Sequence, residues 1–264
     1  MHHHNLELSG SGEHTLMFVH GYGCDQDMWR GVAPAFTDSW RVATLDLPGC
    51  GRRSLVPFDP SRFHDLEDYA DALIALIREQ QLAPVVFVGH SVSAMIGALV
   101  HLRAPECVRA LAMIGPSPCY INEGSYPGGF SAADVSGLLD ALHANRHAWA
   151  ASMAPLIMGN ADRPELGEEL QESFCRMDPK AAEEFARITF TSDHRKMLPQ
   201  VSVPTLILQC RNDPIASEAV GAYVHAQIPN SELVQLEATG HCPNVSAPAE
   251  VIAVLRPWLD SLDT

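Results

Sequence analysis

The sequence predicts an α/β fold, a mostly parallel, doubly wound sheet with four helices inserted as a cap. Three observations predict it. Short apolar runs rich in β-branched residues alternate with longer stretches of helical spacing, the pattern of parallel strands joined by crossover helices. Between residues 116 and 199 the strand pattern disappears and only helical signals remain. From residue 204 onward the alternation resumes and runs to a closing amphipathic helix. A helical block set between strands is most simply a lid over the C-terminal edge of the sheet. The expected organisation is a core of residues 1–115 and 200–264 with a helical cap at 116–199. No internal repeat, low-complexity tract or long linker divides the chain further.

Taken in order, residues 5–8 read as a weak edge strand and 9–12 as a turn. Thr15–Val19 is a strand that runs straight into His20-Gly21-Tyr22-Gly23. Residues 25–36 read as one helix, with Met28, Trp29, Val32 and Phe36 on a shared face. Residues 40–45 are the next strand, ending in the turn that starts at Asp46. Leu66, Tyr69, Leu73, Leu76 and Ile77 repeat at helical spacing through 66–81. Residues 85–88 are continuously apolar, as suits a central strand covered on both faces. A helix from Ser91 to about Arg103 follows, stopped by Pro105, and 110–114 is a further strand. In the cap, Ser131 and Asp134 form a capping box ahead of 135–142. Residues 147–158 are helical but carry Pro155, which predicts a kink or break. Asp162 with Pro164, and Asp178 with Pro179, open helices reaching Phe174 and about Phe190. Strands at 204–209 and 232–236 flank a helix at 218–228, and 249–262 closes the chain.

Composition excludes several functions. The 264 residues are 47% hydrophobic, enough for a sizeable core. Lys and Arg number 17 against 32 Asp and Glu, a net charge of −15. That opposes nucleic acid or an anionic membrane as a partner, since both demand a basic face. The seven cysteines are scattered, odd in number and without Cys-x-x-Cys, so they read as free thiols in a reducing, cytoplasmic setting. No basic segment followed by an apolar stretch opens the sequence, so no signal peptide is expected. No apolar run approaches the roughly 18 residues of a membrane span. His2, His3 and His4 are too terminal to read as a metal site, and no histidine pair has metal-ligand spacing. A Gly-x-Gly-x-x-Gly after a strand is missing too, so neither a metal nor a nucleotide cofactor is indicated.

The chemistry centres on Gly89-His90-Ser91-Val92-Ser93, between a strand and a helix. A serine hydroxyl is a poor nucleophile until it stands on a tight turn, near a base, with N–H groups aimed at the developing oxyanion. A Gly-x-Ser-x-small turn after a strand has that form, the nucleophile elbow. Ser93 stands where glycine is usual. A base and a carboxylate should follow the serine in the chain. Asp213 lies in the loop after 204–209 and His241 in the loop after 232–236, both at C-terminal strand ends where this fold class assembles sites. His90 adjoins the serine but points away by elbow geometry, His20 braces its loop, and His143, His147 and His194 fall in the cap. Asp46 competes with Asp213 but precedes the serine. The N–H groups of Tyr22 and Val92 are the candidate oxyanion donors.

Together these residues resemble the α/β-hydrolase superfamily over essentially the whole chain. The run from Gly89 through Ser91 to Gly97 is similar to the elbow of the plant strigolactone and karrikin receptor hydrolases. Three other stretches are similar to the RsbQ-like branch of bacterial stress regulators: His20 to Gln26, Gly115 to Tyr120 with Gly128-Gly129-Phe130, and Gly240-His241-Cys242-Pro243. The resemblance implies a Ser91, His241 and Asp213 triad, a four-helix cap and a closed apolar pocket. It makes Phe130, Trp149, Met153 and Phe190 candidates for lining that pocket. It implies slow, cofactor-free hydrolysis of a small neutral lipophilic ester or lactone through an acyl-enzyme. In RsbQ-like members it further implies partnership with a PAS-domain phosphatase or another signalling protein. Tyr22 departs from the usual Phe, and Met153 from the aromatic of the plant receptors. A metabolic carboxylesterase or lactonase and a C–C bond hydrolase are the competing readings. Ser91 disfavours dehalogenase or epoxide hydrolase chemistry, which on this fold uses an aspartate.

Overall fold

Which runs can be buried on both faces decides the sheet. In β2 (Thr15–Val19) and β4 (Val85–His90) every residue is buried. Successive side chains of a strand point to opposite faces. Met17, Val19, Val85 and Phe87 accordingly join one apolar core, and Leu16, Phe18, Val86 and Val88 a second. The computed structural model describes residues 4–51 and 58–262 and assembles these strands into a seven-stranded sheet. Its order is β1 (Glu7–Ser9), β3 (Arg41–Leu45), β2, β4, β5 (Val108–Ile114), β6 (Thr205–Arg211) and β7 (Ser231–Thr239). β1 runs antiparallel on β3 at one edge, and the remaining neighbours pair in parallel. His2 and His3 lie outside the described residues.

Helices cover both faces. α1 (Leu66–Glu79) and α2 (Val92–Arg103) pack into the first core. Between β5 and β6 come α3 (Ala132–Ala144), α4 (Arg146–Met158), α5 (Pro164–Arg176) and α6 (Pro179–Thr191). α7 (Glu218–Gln227) adds Val224 to the first core. A single short turn, α8 (Pro243–Ser246), precedes α9 (Pro248–Ser261), whose Val251, Leu255 and Trp258 belong to the second core. The capping box of α3 is formed: Ser131 Oγ accepts from the Asp134 N–H, and Asp134 accepts from the Ser131 N–H. Asp178 caps α6. The cap of α5 is Arg163, one residue past the expected Asp162.

Two expectations fail locally. Residues 25–36 are not one helix but two 3₁₀ turns, Gln26–Trp29 and Ala33–Phe36. Asp25 caps the first, Gly31 interrupts, and Pro34, which has no N–H to give, opens the second. The apolar face survives, with Met28, Trp29 and Phe36 buried. Conversely, α4 runs through Pro155 without a break. Proline deprives only the carbonyl four residues back, here that of solvent-exposed Ala151, and the helix ends three residues later at Met158. Gly167 of α5 lets Pro155 approach so closely that a Cβ there would stand 3.2 Å from its Cα.

Candidate active site

Ser91 sits between β4 and α2 with φ 57° and ψ −125°, a strained backbone for a residue with a side chain. The turn is tight enough to dictate its neighbours. A Cβ on Gly89 would lie 2.4 Å from the Ser93 carbonyl oxygen, so only glycine fits. Ser93 has a use of its own: its hydroxyl donates to the His20 carbonyl at 2.5 Å, tying the elbow to the loop after β2. On that loop a Cβ at Gly21 would lie 3.0 Å from Ser91 Cβ, so its backbone lies against the elbow. Val92 opens α2, where no carbonyl one turn back can accept its N–H.

β6 and β7 deliver the other two groups. His241 Nε2 lies 2.8 Å from Ser91 Oγ, and His241 Nδ1 lies 2.7 Å from Asp213 Oδ2. The other oxygen of Asp213 accepts from the N–H groups of Ile215 and Ala216 at 2.8 and 2.9 Å. These bonds fix the carboxylate's orientation. All three side chains are buried, and Gly115, at φ +58°, keeps space beside the imidazole. Asp46 is elsewhere, accepting from Asn5 Nδ2 and the Gln26 N–H.

The other histidines take distinct positions. His20 Nε2 accepts from the Leu47 N–H, which leaves Nδ1 to donate to Gly21 O. His90 turns away from the serine, and its Nε2 donates to the backbone carbonyl of His241 at 2.8 Å. Burial lowers the pKa of both, that of His90 to about 3, so each stays neutral at pH 7. His143 and His147 lie on the inserted helices beside Glu183 and Cys175.

The loop of His241 is fastened to the inserted helices. Its N–H donates to Ile157 O of α4 at 2.9 Å, and Asn160 Nδ2 bridges Met158 O and Thr239 O. Gly240 packs against the end of α4, where a Cβ would lie 2.1 Å from Met158 O.

A small cavity opens at Ser91 and His241. Its walls are mostly apolar, with Ile157, Leu170, Phe174, Phe190 and Ile215 among them. Of the four residues expected to line a pocket, Phe190 does so. Trp149 instead packs behind, edge-on to Tyr22 and against Phe174, while Met153 and Phe130 are half-buried in the second core. Sequence reasoning missed Tyr120, Thr189, Cys24 and Cys242, which face the cavity. Tyr120 ends the stretch from Gly115, and Thr189 precedes Phe190 on the face of α6 turned inward, so position held the signal. Tyr22 is a strut: its ring contacts Phe174, Phe185 and Phe190, and its hydroxyl donates to Ala182 O of α6. That bond gives the tyrosine a reason to stand in place of phenylalanine. A second cavity adjoins the first, and Cys24, Leu170 and Cys242 line both.

Among the described residues no cluster of three or more His, Cys, Asp or Glu could hold a metal ion, and no helix is long and apolar enough to cross a membrane. The chain matches the model of the alpha/beta hydrolase family over residues 16–254. It is 36% identical over 253 residues to a karrikin insensitive 2 receptor of Petunia hybrida, covering 96% of this chain and 94% of that protein. A strigolactone esterase of Arabidopsis thaliana is 35% identical with the same coverage. A solved hydrolase from Oleispira antarctica superimposes with a TM-score of 0.94 at 36% identity, covering 98% of this chain and 95% of the other.

Proposed function

This chain belongs to the α/β-hydrolase family, and from that premise we propose that it is a serine hydrolase of small, neutral, lipophilic esters or lactones. The observation that carries the reading is the buried, hydrogen-bonded line Ser91–His241–Asp213 at the mouth of an apolar cavity. Ser91 Oγ attacks the carbonyl carbon while His241 Nε2 takes its proton. Asp213 holds the imidazole so that Nδ1 keeps its hydrogen and Nε2 faces the serine. The N–H groups of Tyr22 and Val92 receive the oxyanion. His241 then gives the proton to the leaving alcohol oxygen, and an acyl-Ser91 ester remains. Water, deprotonated by the same nitrogen, attacks that ester and frees the acid and Ser91. The helices of 116–199 serve as the cap over this reaction, set on a core of 1–115 and 200–264.

The same reading extends to a signalling role in the cytoplasm. Similarity to receptors and esterases of the strigolactone and karrikin group supports slow turnover that reports to a protein partner, such as a PAS-domain phosphatase or another signalling protein. The seven free thiols fit a reducing compartment.

A fluorophosphonate is expected to label Ser91, and Ser91→Ala to abolish both labelling and hydrolysis of p-nitrophenyl acetate. Asp213→Asn and His241→Ala should each lower kcat by roughly 10³-fold or more, and together by little more than either alone. Labelling that persists in Ser91→Ala would remove the assignment. Calorimetry should detect butenolide analogues binding to Ser91→Ala. Rapid turnover with a strong preference for anionic esters would favour a metabolic esterase over the signalling role.

A further inference from the structure

Two residues that line the cavity carry buried hydroxyls with hydrogen-bonding capacity to spare. Tyr120, on the loop after β5, is 1% exposed, and its hydroxyl completes no hydrogen bond among the described residues. Burial pushes its pKa up to about 12, offset in part by a hydrogen-bonding interaction with the Ser91 hydroxyl, which places the phenol beside the nucleophile. Thr189 of α6 is also 1% exposed, and its Oγ1 is unpartnered among the described residues. Both residues face the cavity. The Tyr120 ring packs on Phe190, the residue after Thr189, with centroids 5.1 Å apart, so the Tyr120 loop and α6 meet at this cavity.

Thr189 has a local alternative that it does not use. A helical threonine commonly gives its hydroxyl to the carbonyl four residues back. Thr191 does so in the same helix, donating to Arg187 O at 2.7 Å. A buried hydroxyl that bonds to nothing is worse than the phenylalanine or valine that would fill the same space. The pair therefore has the form of a binding surface awaiting a hydrogen-bonding group.

We propose that Tyr120 and Thr189 form a polar subsite for a second, uncharged oxygen of the substrate, apart from the carbonyl that Ser91 attacks. This rests on the ester-hydrolase reading above and narrows its substrates to oxygenated ones: esters or lactones that also carry an ether, ketone or ring oxygen. A carboxylate is the wrong guest. Among the described residues no Lys or Arg lines this cavity, and an anion there would lose its hydration without a counter-charge. A site built to hydrogen-bond its substrate discriminates sharply against an analogue lacking the group.

The test compares wild type, Tyr120→Phe, Thr189→Val and the double variant on two pairs of p-nitrophenyl esters of equal length. Methoxyacetate is paired with butyrate, and methoxypropanoate with pentanoate, so that one methylene becomes an ether oxygen. Comparing the ratio within a pair between variants cancels intrinsic reactivity. In at least one pair, the ether-to-hydrocarbon ratio of kcat/KM is expected to fall about fivefold to tenfold in each single variant, the worth of one hydrogen bond. Equal losses on both members of a pair would mean that the hydroxyls serve every ester alike, and would overturn the subsite; so would unchanged ratios. Without substrate, Tm is expected to hold or rise in both single variants, because no bond is lost. A fall of several degrees would show that the hydroxyls are already satisfied within the folded protein, and the subsite would be wrong. If wild type cleaves none of the four esters, the ester-hydrolase reading itself fails and takes the subsite with it.

Discussion

Behind Ser91 and His241 stand two buried histidines that carry no charge at neutral pH. His20 fastens the loop after β2 through Leu47 and Gly21, and His90 holds the His241 backbone. His20 must remain neutral for its Nε2 to accept from the Leu47 N–H, and burial opposes protonation of both rings. That requirement gives a pH dependence whose sign is fixed. The unfolded chain protonates His90 near 6.5, whereas the folded chain resists until about 3. Between those limits the unfolded state binds more protons, so stability falls as pH falls through 6.5 toward 3. The slope from His90 alone is at most about 1.4 kcal/mol per pH unit, and His20 adds in the same direction. Urea midpoints measured at closely spaced pH values should decline through this window. They should decline less steeply in His90→Gln, whose amide can still donate to the His241 carbonyl. A parallel pair of curves would remove His90 from the account.

At the scale of elements, α5 sets the size of the chamber. Leu170, 5% exposed, stands with Cys24 and Cys242 between the cavity at Ser91 and its neighbour. Leu170→Ala should merge the two and admit longer acyl chains. Each extra methylene sheltered adds about 0.8 kcal/mol, so the kcat/KM ratio of p-nitrophenyl octanoate to acetate should rise at least tenfold. The deletion should also lower stability by about 2–5 kcal/mol. An unchanged ratio would place the limiting wall elsewhere. Much of this architecture was legible in the sequence, for identifiable reasons. β2 and the capping box of α3 declare themselves locally, through unbroken apolar burial and a Ser-x-x-Asp pair. So does the elbow, because its small residues answer to contacts a few positions away. The 3₁₀ turns of 25–36 and the unbroken α4 were not legible, because Pro34 and Pro155 have effects that depend on where each helix happens to end. The lining of the cavity was read least well. Whether Trp149 or Tyr120 reaches it depends on how α4 and α6 lean on the sheet, and that is a property of packing rather than of spacing.

For the molecule as a whole, the site is expected to assemble late in folding. Ser91 and His241 are 150 positions apart in the chain, and β6 and β7 must join the sheet before the histidine arrives. Contacts of such separation carry a large loop-closure cost and tend to form late. In refolding from urea, reactivity toward a fluorophosphonate is expected to lag behind the recovery of helical circular dichroism, since helices rest on local contacts. Simultaneous recovery of both signals would mean that the sheet closes in one step.

The bond between α4 and the His241 loop has a consequence of another kind. A helix that accepts a hydrogen bond from the His241 backbone cannot be displaced without disturbing it, so anything that grips the outside of α4 acts on the position of His241 inside. Thermodynamic linkage makes the traffic two-way. If a bound ligand favours one position of α4, a protein that prefers that position binds more tightly by the same factor by which it tightens the ligand. The hydrolase and the allosteric switch would then be one mechanical object, with Ile157 as the joint.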